Sequence, residues 1–128
     1  MRKKINRIII LTVLILAVCL TKKTFATSIS FNKSSVNVGE SVTITVSVPN
    51  VHTCNVTANV SGAGTSGTIQ VVGGDMAGNK TTYSKSLTVT PTSAGTISVS
   101  VASSSNAVAD GNYVNVSASN SISVVTPS

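Results

Sequence analysis

Residues 42–48 read Val-Thr-Ile-Thr-Val-Ser-Val, an apolar residue at every second position with a hydroxyl between each pair. In an extended chain successive side chains leave on opposite faces, so this run offers one face to a core and the other to water. Wound as a helix, the same residues would spread Val and Thr around the whole circumference. β-Branching adds to the preference for a pleated surface, and the pattern predicts a half-buried strand. Alternation returns at Val114, Val116, Ala118, Ile122 and Val124, with Asn115, Ser117, Ser119, Ser121 and Ser123 opposite. Asn120 falls on the apolar parity there, and a β-bulge or a strand leaving the core edge is expected. Shorter stretches follow the same rule: Ile29/Phe31, Val36/Val38, Cys54/Val56/Ala58/Val60, Ile69/Val71, Leu87/Val89 and Ile97/Val99/Val101.

Between these stretches lie Asn37-Val38-Gly39-Glu40, Pro49-Asn50, Ser61-Gly62-Ala63-Gly64, Gly73-Gly74-Asp75, Ser93-Ala94-Gly95 and Asp110-Gly111-Asn112. They supply the positive φ angles and proline positions that strand connections require. No 3.6-residue period persists after residue 26, so almost no helix is expected there. Short strands separated by turn signals over about 100 residues predict an all-β domain at 27–128, an antiparallel β-sandwich of about seven strands and immunoglobulin-like type. Lys85 shares parity with Tyr83, Leu87 and Val89; it is expected near the sheet's end with its ammonium snorkelling outward, where it also blunts an edge strand.

The first 26 residues obey different rules. Met1–Arg7 is basic, and residues 8–20 form a 13-residue run whose only polar member is Thr12. A bilayer core needs roughly 20 apolar residues in a helix, whereas the apolar region of a secretory signal needs about 7–15. Thr24-Phe25-Ala26 follows with small residues at −3 and −1, which predicts cleavage between Ala26 and Thr27. The competing readings are an uncleaved membrane anchor stopped by Lys22 and Lys23, and lipoprotein processing at Cys19. The product is expected to be secreted or extracellular, associated with the cell surface in one reading, and to touch a membrane only through an uncleaved signal segment. Cys54 then remains as the lone thiol, buried, paired between molecules or free.

The formal net charge of +6 is misleading for the same reason. Six of the nine Lys and Arg lie in the first 23 positions, and from residue 27 onward three lysines face three acids. Nucleic-acid binding draws on clustered cations, and Lys33, Lys80 and Lys85 are scattered, so nucleic acid is excluded as a partner. His52 and Cys54 invite comparison with a catalytic dyad. Residues i and i+2 of a strand lie roughly 6.5–7 Å apart, beyond activating hydrogen-bond reach, and the expectation is a core Cys54 beside an exposed His52. Asp75 and Asp110 sit in Gly/Asn-rich segments that could serve Ca²⁺, but they lack the acid spacing of a calcium loop and read as turns. No catalytic, metal or cofactor site is predicted. Of Phe31, Tyr83 and Tyr113, only Tyr113 has outward placement, beside the Asp110 turn; those two residues are the candidate ligand contacts. The Asn-x-Ser/Thr triplets at Asn32, Asn55, Asn79 and Asn115 are expected by chance in so polar a chain.

The run Ser34-Ser35-Val36-Asn37-Val38-Gly39-Glu40-Ser41-Val42-Thr43-Ile44-Thr45-Val46 resembles the opening of Ig-like modules in secreted and cell-surface proteins of Gram-positive bacteria. Cys54-Asn55-Val56, Ser61-Gly62, Gly73-Gly74-Asp75 and Thr92–Val99 fit the same module in order, so the resemblance covers roughly residues 28–125. Cys54 stands where such modules often carry a Trp. The resemblance implies a non-enzymatic module with an adhesive, spacer or structural role, whose partner is another surface protein module or a cell-wall glycan. The alternative is a small carbohydrate-binding module using Tyr113 and adjacent loops. Edge pairing between strands of neighbouring modules is a further route to assembly. The chain ends at Thr126-Pro127-Ser128 without a sorting motif, which fits release, noncovalent retention or a piece of a longer protein.

Overall fold

The computed structural model describes residues 27–75 and 81–128. The apolar run and Ala26 lie outside the described residues, and Thr27 is the first inside them. Alternation is realised directly: in β3 (Val42–Val51) the side chains of Val42, Ile44, Val46 and Val48 are buried while Thr43, Thr45 and Ser47 are half-exposed. The other strands are β1 (Ser28–Phe31), β2 (Val36–Asn37), β4 (Thr53–Gly62), β5 (Thr65–Gly74), β6 (Thr81–Val89), β7 (Gly95–Val101), β8 (Asn106–Ala109), β9 (Asn112–Tyr113) and β10 (Ser119–Val125). The described residues are all-β, with no helix among them.

The strands form two sheets. One has the order β1-β3-β6; the other runs β2-β10-β7-β4, with β5 on the far edge of β4. Strands β7 and β8 lie end to end along one edge of β4, opposite Ala58–Ser61 and Thr53–Asn55 respectively. Between them Ser105 stands in for the missing ladder, because its Oγ accepts the Thr57 N–H at 2.9 Å and lies 3.3 Å from the Thr57 carbonyl. Buried side chains from both sheets form one cluster, including Ile44 and Val46 from the first and Val56, Ile69, Ile97, Val99 and Ile122 from the second. Burial of each such side chain contributes about 1.5–3 kcal/mol, and this core carries the fold, since Cys54 is free.

The outer face of the first sheet is a ladder of hydroxyls. Ser41–Thr90, Thr43–Thr88 and Thr45–Ser86 pair across β3 and β6 or their flanks at 2.8, 2.9 and 2.8 Å. Such cross-strand pairs add modest stability. Uncharged polar groups cover these faces, and the Lys33–Glu40 ion pair, 3.0 Å long, is partly exposed at the β2 turn; pairs of that kind contribute little.

Several connections match their turn chemistry. Ala63-Gly64 (φ 54° and 76°) and Asp110-Gly111 (φ 52° and 78°) are two-residue hairpin loops closing Gly62↔Thr65 and Ala109↔Asn112. Paired positive φ values define the type I′ geometry that follows strand twist. At Asn37–Glu40 the Glu40 N–H reaches the Asn37 carbonyl at 3.0 Å and Gly39 has φ 87°, a type II turn.

Elsewhere the structure corrects the sequence reading. Pro49-Asn50 does not end a strand: β3 continues to Val51 past a register shift between Val48 and Val51, a bulge that tolerates proline because position 49, which has no N–H to donate, lies outside the ladder. Gly73 and Gly74 are the last residues of β5, not a turn. The expected strand from Val114 onward is interrupted, because Ser117 N–H turns back to Asn115 Oδ1 at 2.9 Å and regular pairing resumes only at Ser119. Lys85 lies mid-strand, opposite Val46, and is exposed because β6 is an edge strand. The strand pairing is not wholly antiparallel, since β2 runs parallel to β10.

That parallel pair also explains Asn120. No bulge occurs there: β10 holds continuous register with β7 from Ser119↔Ser100 to Val124↔Gly95. The chain crosses from the first sheet at β1 to the second at β2, opening a seam beside β10. Asn120 fills it, its Nδ2 donating to the Ile29 carbonyl at 2.8 Å and its Oδ1 accepting the Ser121 N–H at 2.9 Å. A polar residue on the apolar parity therefore bonds one sheet to the other.

Candidate functional site

Two of the polar residues singled out in sequence, His52 and Asp110, approach one another. His52 occupies the bend between β3 and β4, fixed through its backbone: its N–H donates to the Val108 carbonyl at 2.8 Å and its carbonyl accepts from the Tyr83 hydroxyl at 3.3 Å. The Asp110-Gly111 hairpin turns back over this bend and places Asp110 Oδ1 3.8 Å from His52 Nε2. That separation exceeds hydrogen-bond range; it becomes an ion pair only when the imidazole is protonated. Sequence reasoning set aside a dyad of His52 with Cys54, two residues away, and placed Asp110 beside Tyr113 without foreseeing its approach to His52, which the β8–β9 hairpin delivers.

His52 is not exposed as expected. Its side chain keeps 19% of its accessible surface, against 62% for Asp110, and its Nδ1 is buried without a hydrogen-bond partner. The backbone beside it is tightly approached as well. Gly74 (φ +101°) lies against the His52 carbonyl, and a Cβ there would overlap that carbonyl and stand 2.6 Å from the Tyr83 hydroxyl. Neighbouring Gly73 presses on the Tyr83 ring in the same way. Two glycines at the end of β5 thus let Tyr83 from the other sheet slide beneath and close the corner.

Cys54 is buried in the core, its Sγ 3.6 Å from the Val71 carbonyl. Burial pushes its thiol pKa up, only partly offset by a hydrogen bond with the Gly73 backbone. A protonated, enclosed thiol is a poor nucleophile. No group of three or more His, Cys, Asp or Glu side chains gathers at metal-binding distance among the described residues.

Tyr113 retains 81% of its surface, as its position beside the turn predicts. It stands opposite Val108 on β8, and β8 in turn lies opposite Thr53 and Asn55 on β4. Phe31 and Tyr83 pack against the core, which leaves Tyr113 as the exposed ring among the described residues. Farther along, a shallow groove of ≈ 220 Å³ separates β5 from β6, lined by Gln70, Val71, Val72, Tyr83, Ser84 and Lys85.

Comparison of the chain with protein-family models, with characterised proteins and with solved structures gives no match in any of the three.

Proposed function

We propose that the chain is a non-enzymatic, exported Ig-like module that acts as a spacer or adhesive element at a cell surface. Joining β1 with β2, β7 with β8 and β9 with β10 reduces the ten segments to seven strands, the number and two-sheet division of an immunoglobulin-like sandwich. The observation that carries the functional reading is the direction of the first and last strands. Val36 and Asn37 pair in parallel with Val124 and Val125, and Val38 N–H adds a bond to the Val125 carbonyl at 2.9 Å. Parallel neighbours put the N-terminal end of β1–β2 and the C-terminal end of β10 at opposite poles. Tension applied through the two ends then loads this pair in shear, where its hydrogen bonds must fail together. The corner at His52 fits the same reading, because the nearby Cys54 thiol is buried in the core and the imidazole is mostly covered.

Single-molecule stretching tests this. The module pulled through its two ends is expected to unfold in one resolved force peak, which falls when Val38→Pro removes the terminal N–H of the clamp. Extension without a peak, or a peak unchanged by Val38→Pro, contradicts the spacer reading.

A further inference from the structure

The free strand edges of the two sheets are not equally protected. A row of unpaired backbone groups is a template for another strand, and proteins commonly guard it with charge, proline, bulges or shortness. β1 has four residues and β2 and β9 two each, while β6 carries Lys85 at its centre. β5 has ten residues, Thr-Ser-Gly-Thr-Ile-Gln-Val-Val-Gly-Gly, with no charge, no proline and an unbroken register against β4. Its other edge pairs with no strand among the described residues.

Which groups this edge presents follows from the hairpin. A two-residue loop makes Gly62 and Thr65 a hydrogen-bonded pair, and bonded pairs then alternate along an antiparallel ladder. Thr65, Gly67, Ile69, Val71 and Gly73 therefore bond to β4, and Ser66, Thr68, Gln70 and Val72 turn their N–H and C=O outward. The far side of β4 agrees: Thr57, opposite Gln70, spends its N–H on Ser105 and its carbonyl on Ala102 N–H at 2.8 Å. The same four residues point their side chains to the outer face, where Val72 stays 64% exposed.

We propose that β5 is a self-association edge, on which a second copy of this chain adds its own β5 in antiparallel register and extends the sheet across a two-fold axis. Two-fold pairing matches Ser66 with Val72 and Thr68 with Gln70, so outward N–H and C=O groups meet outward N–H and C=O groups. It also covers Val72 and keeps both outer faces on one side. Absence of charge along the strand lets two copies approach without repulsion from β5 itself. Lys85 borders the groove from β6, and its long stem can carry the ammonium to water. A strand pair buries less than a standard interface, so the contact is weak and suited to modules held side by side on a surface.

The test uses the protein in the form its host produces, by sedimentation between about 10 µM and about 1 mM and by amide hydrogen exchange at both ends of that range. The mean mass is expected to rise from one chain toward two. Protection of the Ser66, Thr68, Gln70 and Val72 amides is expected to grow at least threefold, with the alternate residues unchanged. Gln70→Pro removes an outward N–H without touching the β4 ladder, and Thr68→Lys sets a charge on the exposed face; each should hold the protein monomeric with its circular dichroism intact. A single-chain mass throughout, or a dimer that both variants form equally well, overturns the proposal. Neither outcome affects the spacer reading, which is tested on single molecules.

Discussion

Ile44→Ala is expected to lower the unfolding free energy by about 2–5 kcal/mol, the range for emptying a fully buried aliphatic site. Ile44 has no accessible surface and lies on the central strand of the three-stranded sheet, paired with Phe31 on one side and Leu87 on the other. Its neighbours are held on two ladders and can collapse only partly into the space. A domain of about 100 residues typically has 5–15 kcal/mol of stability, so the loss is a large fraction of the total. Urea melts should show it as a lower midpoint with an unchanged slope. Thr45→Ala, one residue along, removes a surface hydroxyl pair with Ser86 and is expected to cost no more than about 1 kcal/mol. Equal effects at the two positions would mean that the faces of β3 are assigned wrongly.

Gly74→Ala is expected to be nearly as damaging, although it removes nothing. At φ +101° an L side chain is strained, which costs about 1–3 kcal/mol where the surroundings hold the conformation. The added Cβ also falls on the His52 carbonyl and crowds the Tyr83 hydroxyl. The bend between β3 and β4 must shift, and with it the hydrogen bond from Tyr83 to His52. The expected result is a loss exceeding about 2 kcal/mol by the same strain estimate, together with an altered near-ultraviolet signal from Tyr83. Gly39→Ala is the reference, because Gly39 has a positive φ but no atom within 4 Å of where a Cβ would stand; it should show the backbone strain alone. A Gly74→Ala protein as stable as the Gly39→Ala protein would show that the close approach at this corner has no energetic weight.

What the sequence made legible follows from the range of the forces involved. Period-2 alternation is a local property, and it located the cores of β3, β4, β7 and β10 because each strand has one wet face. Hairpin turns are equally local, so Ala63-Gly64 and Asp110-Gly111 were readable from residue type. Asn120 was legible only as an irregularity, since its partner, the Ile29 carbonyl, is 91 residues away. Pro49-Asn50 and Gly73-Gly74 looked like turns because the same residues serve bulges and close approaches inside strands. The pairing of His52 with Asp110 and the parallel pairing of β2 with β10 are consequences of topology, which no local window contains. The expected cleavage between Ala26 and Thr27 falls at the border of the described residues.

The crossing of the chain between sheets is the central structural feature, because it sets the first and last strands side by side in one direction. The most direct measurement is a set of nuclear Overhauser contacts in solution. Contacts joining Val36 with Val124 and Asn37 with Val125, in the pattern of a parallel ladder and together with one from Asn120 to Ile29, are predicted. Antiparallel contacts between β2 and β10, or a β2 that remains in the sheet of β1 and β3, would contradict it.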